Sequence, residues 1–253
     1  MDNLTQLERL ALVVTDRCNL RCKLCNSRLN SYFINDMKYP IIKKVLETAK
    51  ELKVRELEIL GGEPMLRKDI CDIIEYATSL GINTTMYTNG TLIDEEKAQQ
   101  LVNSGLKKVV ISIDGYQEEN DFLRGEGTYE KAVTAIRSFK QFENKLDIVT
   151  VKINISKYNS TKINDFANYL TEELGISSVR YKAMIYDGTN DEQFYLKEEE
   201  IDKLGLQIDT MNQQVKTGIG IKIDTSGSVY NYSDEKKAIG NIYTNSLEDI
   251  LSA

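Results

Sequence analysis

Three of the four cysteines in this chain lie within eight positions, in the stretch TDRCNLRCKLCNSR (residues 15–28). Cys18, Cys22 and Cys25 form a C-x3-C-x2-C pattern. Soft thiolates this close together on an irregular loop can converge on one metal centre, either zinc or an iron-sulfur cluster. Structural zinc takes four protein ligands, and in a chain without histidine only Cys71 could complete such a site. The pattern therefore favours a 4Fe-4S cluster with one iron left open, over an incomplete zinc site or loop thiols without a metal.

A glycine-rich turn, LGGEP at 60–64, follows an apolar run of strand length. Gly61 and Gly62 allow the backbone to approach another group closely, and Glu63, before Pro64, offers a carboxylate to a cation. An ordinary turn with a solvated acid is the alternative for this segment when it is taken alone.

Polar groups also follow the next two predicted strands. Asn89 lies in YTNG, Ser112 and Asp114 lie in ISIDG, and Arg124 follows in NDFLRGEG. A guanidinium group matches a carboxylate bidentately, so Arg124 is a candidate anion clamp. An Asn-Gly turn and an exposed loop arginine are the plainer alternatives.

The elements that position these residues alternate regularly between strand and helix. Short β-branched runs predict strands at 10–15, 56–62, 82–88, 107–114, 147–156 and 177–185, and amphipathic segments predict helices near 38–53, 67–80, 94–104, 128–143, 161–174 and 196–213. Each strand is followed by a crossover helix, which indicates parallel strands with right-handed connections. Six such units are too few for a closed eight-unit barrel. We therefore expect an α/β fold, a partial (β/α)6 TIM-like barrel that is open, with its chemistry at the carboxyl ends of the strands.

The last segment changes character. GIKIDTSGSVYNY predicts a β-hairpin with a Ser-Gly turn, and SLEDILSA predicts a short helix with a serine N-cap. We expect two regions: a barrel at 1–215 and a short hairpin and helix extension at 216–253.

The cysteine pattern after the first strand and LGGEP after the second resemble the signature of the radical S-adenosylmethionine (SAM) enzymes, over about the first 185 residues. The resemblance implies that Cys18, Cys22 and Cys25 hold three irons of a 4Fe-4S cluster and that SAM chelates the fourth. Reductive cleavage of SAM would then give methionine and a 5′-deoxyadenosyl radical that abstracts hydrogen from a substrate.

The same resemblance implies a set of SAM contacts. Glu63 would receive the SAM ammonium group, Asn89 would line the pocket, Ser112 and Asp114 would face the ribose or carboxylate, and Arg124 would clamp that carboxylate. Many relatives have an aromatic residue that shields adenine just before the third cysteine, where this chain has Leu24. The implied SAM-binding residues are Leu24, Gly61, Gly62, Glu63, Pro64, Asn89, Ser112, Asp114 and Arg124.

The stretch 112–136 and the end of the chain resemble the radical SAM proteins that carry a SPASM or twitch extension, a group rich in peptide-maturing enzymes. In those relatives a cysteine follows the G-x-V-Y turn and begins an auxiliary cluster, whereas this chain has Asn231 and Tyr232 there. One remaining thiolate cannot hold a second cluster, so we expect one 4Fe-4S cluster per chain. This favours redox-neutral chemistry such as epimerisation, for which Cys71 is the spare thiol that could donate hydrogen. Its spacing from Ile74 and Ala77 also fits a buried structural thiol.

The composition limits the classes of partner that the chain is expected to bind. The net charge is −7 with no dense basic run, which argues against electrostatic binding to nucleic acid and slightly favours a cationic or neutral substrate over a polyphosphate. No apolar run is long enough for a membrane span, and bunched cysteines indicate reduced thiols, so we expect a cytoplasmic protein. The substrate is expected to be a peptide or peptide-like molecule, or alternatively a sugar, cyclitol or nucleoside. A flavodoxin or ferredoxin would be the reductant, and a non-catalytic metal-binding protein is the competing class.

Overall fold

The computed structural model describes residues 7–25, 35–185, 192–206, 219–232 and 234–252. The strands are β1 (Leu7–Thr15), β2 (Glu56–Gly61), β3 (Asn83–Thr88), β4 (Lys108–Ser112), β5 (Ile148–Ile155), β6 (Ser178–Ala183), β7 (Ile219–Ile223), β8 (Ser228–Asn231) and β9 (Asp234–Asn241). The helices are α1 (Tyr39–Glu51), α2 (Ile70–Ser79), α3 (Glu95–Asn103), α4 (Gln117–Arg124), α5 (Thr128–Lys140), α6 (Ile163–Glu172), α7 (Glu198–Asp202) and α8 (Leu247–Ser252). Two short 3-10 turns lie at Pro64–Leu66 and Ser160–Lys162.

All nine described strands form one sheet, in the order β6-β5-β4-β3-β2-β1-β7-β8-β9. Strands β1 to β6 are parallel neighbours in chain order. Because every step moves in the same direction, right-handed crossovers place the connecting helices on one face of the sheet. The sheet does not close, so the expected α/β partial barrel with six strand-helix units is confirmed.

The face beneath the helices is the apolar core. Alternate strand residues such as Leu12, Ile59, Met86, Ile111 and Ile153 are fully buried there. The intervening strand positions point to the opposite, concave face, because successive side chains of a strand alternate between faces. That concave face is where the polar strand residues lie.

Three features of the fold differ from the sequence expectations. Helix α4 lies within a polar stretch that showed no clear apolar period. The helix predicted at 196–213 ends at Asp202, and its part beyond residue 206 falls outside the described residues. The predicted hairpin is present as β7 and β8, but it joins the main sheet because β7 pairs in parallel with β1, and a third strand, β9, follows it.

The end of the chain folds as its sequence predicts. The backbone N–H of Asp249 donates to Oγ of Ser246 at 3.1 Å, so Ser246 caps α8. No helix in the described part of the chain has the length and apolar character to cross a membrane.

Candidate active site

The three clustered cysteines lie on the loop after β1, at the carboxyl edge of the sheet. All three thiols are free and half-buried. Sγ of Cys22 lies 3.9 Å from the carbonyl oxygen of Arg124, and Sγ of Cys18 lies 4.0 Å from Nδ2 of Asn89. The loop is therefore held against the ends of β3 and α4.

Burial raises the pKa of the Cys18 and Cys22 thiols. For Cys22 the nearby Arg124 guanidinium acts in the opposite direction and favours the thiolate. A thiolate is the form that binds a metal, so this positive charge favours ligation at Cys22.

Gly61 and Gly62 bring the end of β2 against the backbone of the cysteine loop. The N–H of Gly62 donates to the carbonyl of Thr15 at 2.8 Å, and the N–H of Glu63 donates to the carbonyl of Arg17 at 2.7 Å. A Cβ atom on Gly62 would lie 2.3 Å from the Arg17 carbonyl oxygen. The paired glycines thus allow the close backbone approach that the sequence predicts, and the segment approached is the loop that carries the thiols.

Glu63 is fully buried between β2 and β3. Its Oε1 accepts from the N–H of Met65 at 3.0 Å and the hydroxyl of Thr88 at 2.8 Å, and its Oε2 accepts from the N–H of Asn89 at 2.7 Å. Burial raises its pKa, while these hydrogen bonds lower it. These three donors are uncharged, so a cation beside this carboxylate would stabilise its ionised form. The next residue, Pro64, is buried and begins the 3-10 turn.

Asn89 connects β3 to the cysteine loop. Its Nδ2 donates to Oδ1 of Asn19 at 3.0 Å, and its Oδ1 accepts from the N–H and hydroxyl of Thr91 at 2.9 and 2.7 Å. Asn19 in turn donates to the Thr91 hydroxyl at 2.8 Å. The Asn-Gly segment is therefore a hydrogen-bonded support for the loop next to Cys18.

Asp114 and Arg124 form a buried ion pair. Nε of Arg124 lies 2.7 Å from Oδ2 of Asp114, and both side chains are less than a tenth exposed. Oδ1 of Asp114 accepts from the N–H of Asn154 at 2.7 Å. The pair thus ties the end of β4 to β5 and to the Cys22 side of the loop. Ser112 is half-buried at the last position of β4.

Leu24 and Cys71 lie in different surroundings. Leu24 packs in a small buried cluster with Leu123 and Met184. Cys71 is half-buried on α2 and packs against the core between the helices and the sheet, which is the side away from the concave face. This position supports the structural alternative for Cys71.

Three free thiols on one loop suit an iron-sulfur cluster. In an iron-sulfur cluster each thiolate binds its own iron, so three thiols need not meet at one point. Three free, half-buried thiols around the buried Glu63 and the Arg124 charge fit such a group.

Sequence reasoning missed a polar network on the concave face. The Tyr232 hydroxyl donates to Oε2 of Glu58, and the Tyr87 hydroxyl lies 3.5 Å from Oε1 of the same carboxylate. Arg9 lies 3.6 Å from that carboxylate, and Arg180 donates to the Tyr87 hydroxyl at 3.3 Å. Burial, and next the Glu58 charge, raise the pKa of Tyr232 and of Tyr87 well above the usual range. The signal that could have found the network is the presence of polar residues at alternate positions of otherwise apolar strands.

Together, an open parallel barrel and a three-thiol loop at its carboxyl edge define a class of cofactor-dependent barrel enzymes. The model of the Radical SAM superfamily matches residues 12–170, and the chain belongs to this superfamily of enzymes, whose members use a 4Fe-4S cluster and SAM.

Two curated relatives illustrate the similarity. The chain is 31% identical over 177 residues to the Fe-coproporphyrin III synthase of Methanosarcina barkeri (strain Fusaro / DSM 804), covering 69% of this chain and 43% of the relative. It is 32% identical over 210 residues to the GTP 3′,8-cyclase of Clostridium botulinum (strain Hall / ATCC 3502 / NCTC 13319 / Type A), covering 78% of this chain and 63% of the relative. The chain thus spans only about half of the length of these relatives.

A solved structure shares the fold over nearly the whole chain. It is described as native anSMEcpe with bound AdoMet and Cp18Cys peptide, with a TM-score of 0.75 and 20% identity over 98% of this chain and 80% of that one. At this identity the likeness concerns the fold alone.

Proposed function

We propose that this chain binds one 4Fe-4S cluster through Cys18, Cys22 and Cys25 and cleaves SAM reductively to act on a peptide or peptide-like substrate, as a maturase or epimerase. The observation that carries the proposal is the buried Glu63 carboxylate, which accepts hydrogen bonds from three uncharged donors, beside three free thiols. When bound, the cluster supplies the electron that converts SAM to methionine and a 5′-deoxyadenosyl radical.

The chain's own residues would bind and orient SAM. Glu63 would accept the SAM ammonium group, because a buried carboxylate gains most from a cation that replaces lost hydration. Asn89 would fix the loop beside Cys18, and Ser112 would face the open side of the site from β4. Asp114 would hold the Arg124 guanidinium in place next to Cys22. From this position Arg124 would reach the SAM carboxylate.

Backbone and apolar groups would complete the SAM pocket. Gly61, Gly62 and Pro64 would shape the turn around the methionine part of SAM, and Leu24 would border the adenine through its packed cluster with Leu123. This assignment extends the family resemblance to the positions that match it.

The peptide-like substrate is supported by the resemblance of 112–136 to peptide-maturing relatives and by the fold shared with a peptide-bound structure. The curated relatives argue for an alternative, because their names specify a nucleotide and a porphyrin. A small-molecule substrate, such as a sugar, cyclitol or nucleoside, is therefore the second candidate.

The extension completes the proposal. We assign the barrel to 1–215 and a degenerate SPASM or twitch-like extension to 216–253, which lacks the cysteines of an auxiliary cluster and covers one edge of the barrel.

A flavodoxin or ferredoxin would supply the electron. The location would be cytoplasmic, because three bunched cysteines and one lone cysteine do not resemble the disulfide framework of a secreted protein.

The test is anaerobic reconstitution with iron and sulfide, followed by dithionite and SAM. Wild-type protein is expected to hold about four irons and form 5′-deoxyadenosine, and Cys22→Ala to form none. Cys71→Ala is the matched control, because its thiol lies on the helical side of the sheet, and it is expected to behave as wild type. Wild-type protein that binds iron or zinc without forming 5′-deoxyadenosine would identify a non-catalytic metal-binding protein instead.

A further inference from the structure

The cysteine loop carries two exposed basic side chains, Arg21 and Lys23, on either side of Cys22. NH1 of Arg21 donates to the carbonyl oxygens of Cys18 and Leu20, both at 2.9 Å. In the part of the chain that the structure describes, neither cation lies within ion-pair distance of a carboxylate. Both charges are therefore open to a partner that approaches the loop.

Lys23 lies at the border of an aromatic patch formed by Phe122, Tyr158 and Phe194. Its Nζ lies 4.7 Å from the centre of the Phe122 ring. Phe122 stacks on Tyr158 with ring centres 4.0 Å apart, and the Phe194 ring centre lies 6.3 Å from that of Phe122. Phe122 and Tyr158 are each 39% exposed. Apolar surface thus remains in water beside the loop, and covering it would be favourable.

The aromatic patch is fixed to the segment that carries the thiols. The N–H of Lys23 donates to the carbonyl oxygen of Leu123 at 2.8 Å, and Sγ of Cys22 lies 3.9 Å from the carbonyl oxygen of Arg124. Both carbonyl groups belong to α4, the helix that also carries Phe122. A molecule that covered the patch would therefore contact the loop at the residues next to Cys22.

The acidic residues of α4 do not neutralise the two cations of the loop. Glu118 and Glu119 pair with Lys162, and Asp121 accepts from the N–H of Gly127 at 2.9 Å. The loop thus differs in sign from the chain as a whole, whose net charge is −7. An acidic partner would be attracted to this region and repelled by much of the remaining surface, which favours one orientation on encounter.

The chemistry of the site requires a partner at this position. The proposed cleavage of SAM takes an electron from outside the chain, and electron transfer slows steeply as the distance between donor and acceptor grows. Residues next to Cys22 lie closest to the irons that the thiols would hold. Encounters between electron carriers bury little surface, with an apolar centre and charges at the rim, as the aromatic patch and the two cations provide.

We propose that Arg21, Lys23, Phe122 and Tyr158 form the docking surface for a flavodoxin. This rests on the proposed function, because it names the partner that reduces the same site. Acidic side chains of flavodoxin would meet the two cations, and the apolar edge of its flavin would cover the rings. One electron passes from the flavin hydroquinone anion, which becomes the neutral semiquinone, to the oxidised cluster, and no atom is transferred.

The test measures the dissociation constant of oxidised flavodoxin with the reconstituted protein, by titration calorimetry at low ionic strength. Wild-type protein is expected to bind, and added salt is expected to weaken binding because exposed charges are screened. Arg21→Gln and Lys23→Gln are each expected to weaken binding about threefold or more, and Tyr158→Ala about fivefold or more.

Matched variants elsewhere on the surface are the controls. Lys131→Gln removes an exposed cation from α5, and Tyr243→Ala removes a ring that is 49% exposed in the segment after β9. Both are expected to bind flavodoxin within about twofold of wild type, as is Lys23→Arg, which keeps the charge.

Three results would overturn the inference. The first is that flavodoxin does not bind wild-type protein, or that Lys131→Gln weakens binding as much as Lys23→Gln does. The second is that an acidic ferredoxin binds through these residues and flavodoxin does not. The third is dimerisation of the chain that Lys23→Gln abolishes in sedimentation experiments, which would assign the aromatic patch to a second copy.

A small uncharged reductant distinguishes this inference from the proposed function. With photoreduced 5-deazariboflavin, Lys23→Gln and Tyr158→Ala are expected to form 5′-deoxyadenosine at the wild-type rate, because no docking is needed. Wild-type protein that forms 5′-deoxyadenosine in this way but does not bind flavodoxin overturns the docking surface alone. Protein that binds flavodoxin through the loop but never cleaves SAM overturns the proposed function alone.

Discussion

The carboxyl edge of the sheet and the concave face beneath it are built from different kinds of contact. At the edge, main-chain N–H groups take part in many of the contacts: Gly62 and Glu63 donate their N–H groups to the cysteine loop, and Asn89 donates its N–H to the Glu63 side chain. On the concave face, contacts join side chains from distant strands, as Tyr232 joins Glu58. Most main-chain contacts can be made by any residue, and only the close approach at Gly62 requires glycine. The network on the face depends instead on the particular side chains of Tyr232 and Glu58.

Gly62→Ala is the variant that we expect to disturb the carboxyl edge of the sheet most. Its new Cβ would lie 2.3 Å from a backbone carbonyl oxygen of Arg17, so the loop must move rather than a flexible side chain. Overpacking of this kind costs about 1–3 kcal/mol, and here the shift falls on the segment that carries Cys18. We expect reconstituted Gly62→Ala to lose most of its iron, as measured by iron analysis and the visible absorption of the cluster.

Gly81→Ala is the control for this change. Gly81 has φ +79, yet an added Cβ there would have no atom within 4 Å, so the substitution strains the backbone without crowding. It is expected to lower stability slightly and to keep its iron. Equal iron loss in both variants would show that backbone strain, not contact with the loop, explains the effect.

The Asp114–Arg124 ion pair tests how the edge is joined to β5. Arg124→Met leaves a buried carboxylate without its cation, and breaking one partner of a buried pair costs about 3–5 kcal/mol. The double variant Arg124→Met/Asp114→Asn removes both charges and keeps an acceptor for the Asn154 N–H, so it is expected to recover much of that loss. Urea unfolding measures both free energies.

An exposed ion pair is the control for the single and double variants of Asp114 and Arg124. Lys197→Met removes the cation that lies 3.5 Å from Glu192, in a pair whose side chains are both about half exposed, and is expected to cost less than about 1 kcal/mol. A double variant as unstable as Arg124→Met would mean that the arginine acts through packing rather than charge.

The sequence predicted the edge better than the face, for a physical reason. Helices and parallel strands follow from local periodicity, and the thiol spacing and Gly-Gly-Glu turn are local as well. Pairing between β7 and β1 joins segments far apart in the chain, so no local pattern contains it. The same holds for Tyr232 and Glu58, and for the register that groups Lys152 with Arg180. Helix α4 was missed because Glu118, Glu119 and Asn120 obscure its apolar period.

Tyr232→Phe gives the smallest expected effect and tests the concave face directly. The substitution keeps the ring that packs near Gly220 but removes the hydroxyl that donates to the buried Glu58 carboxylate. Loss of one donor to a buried charged group costs about 1–2 kcal/mol, measurable by urea unfolding. Tyr243→Phe removes a hydroxyl from a half-exposed ring at a long 3.4 Å contact and is expected to change stability by less than about 0.5 kcal/mol. If the two variants lose the same small amount, the hairpin is held to the barrel by the β7–β1 pairing, and the side-chain network of the face contributes specificity rather than stability.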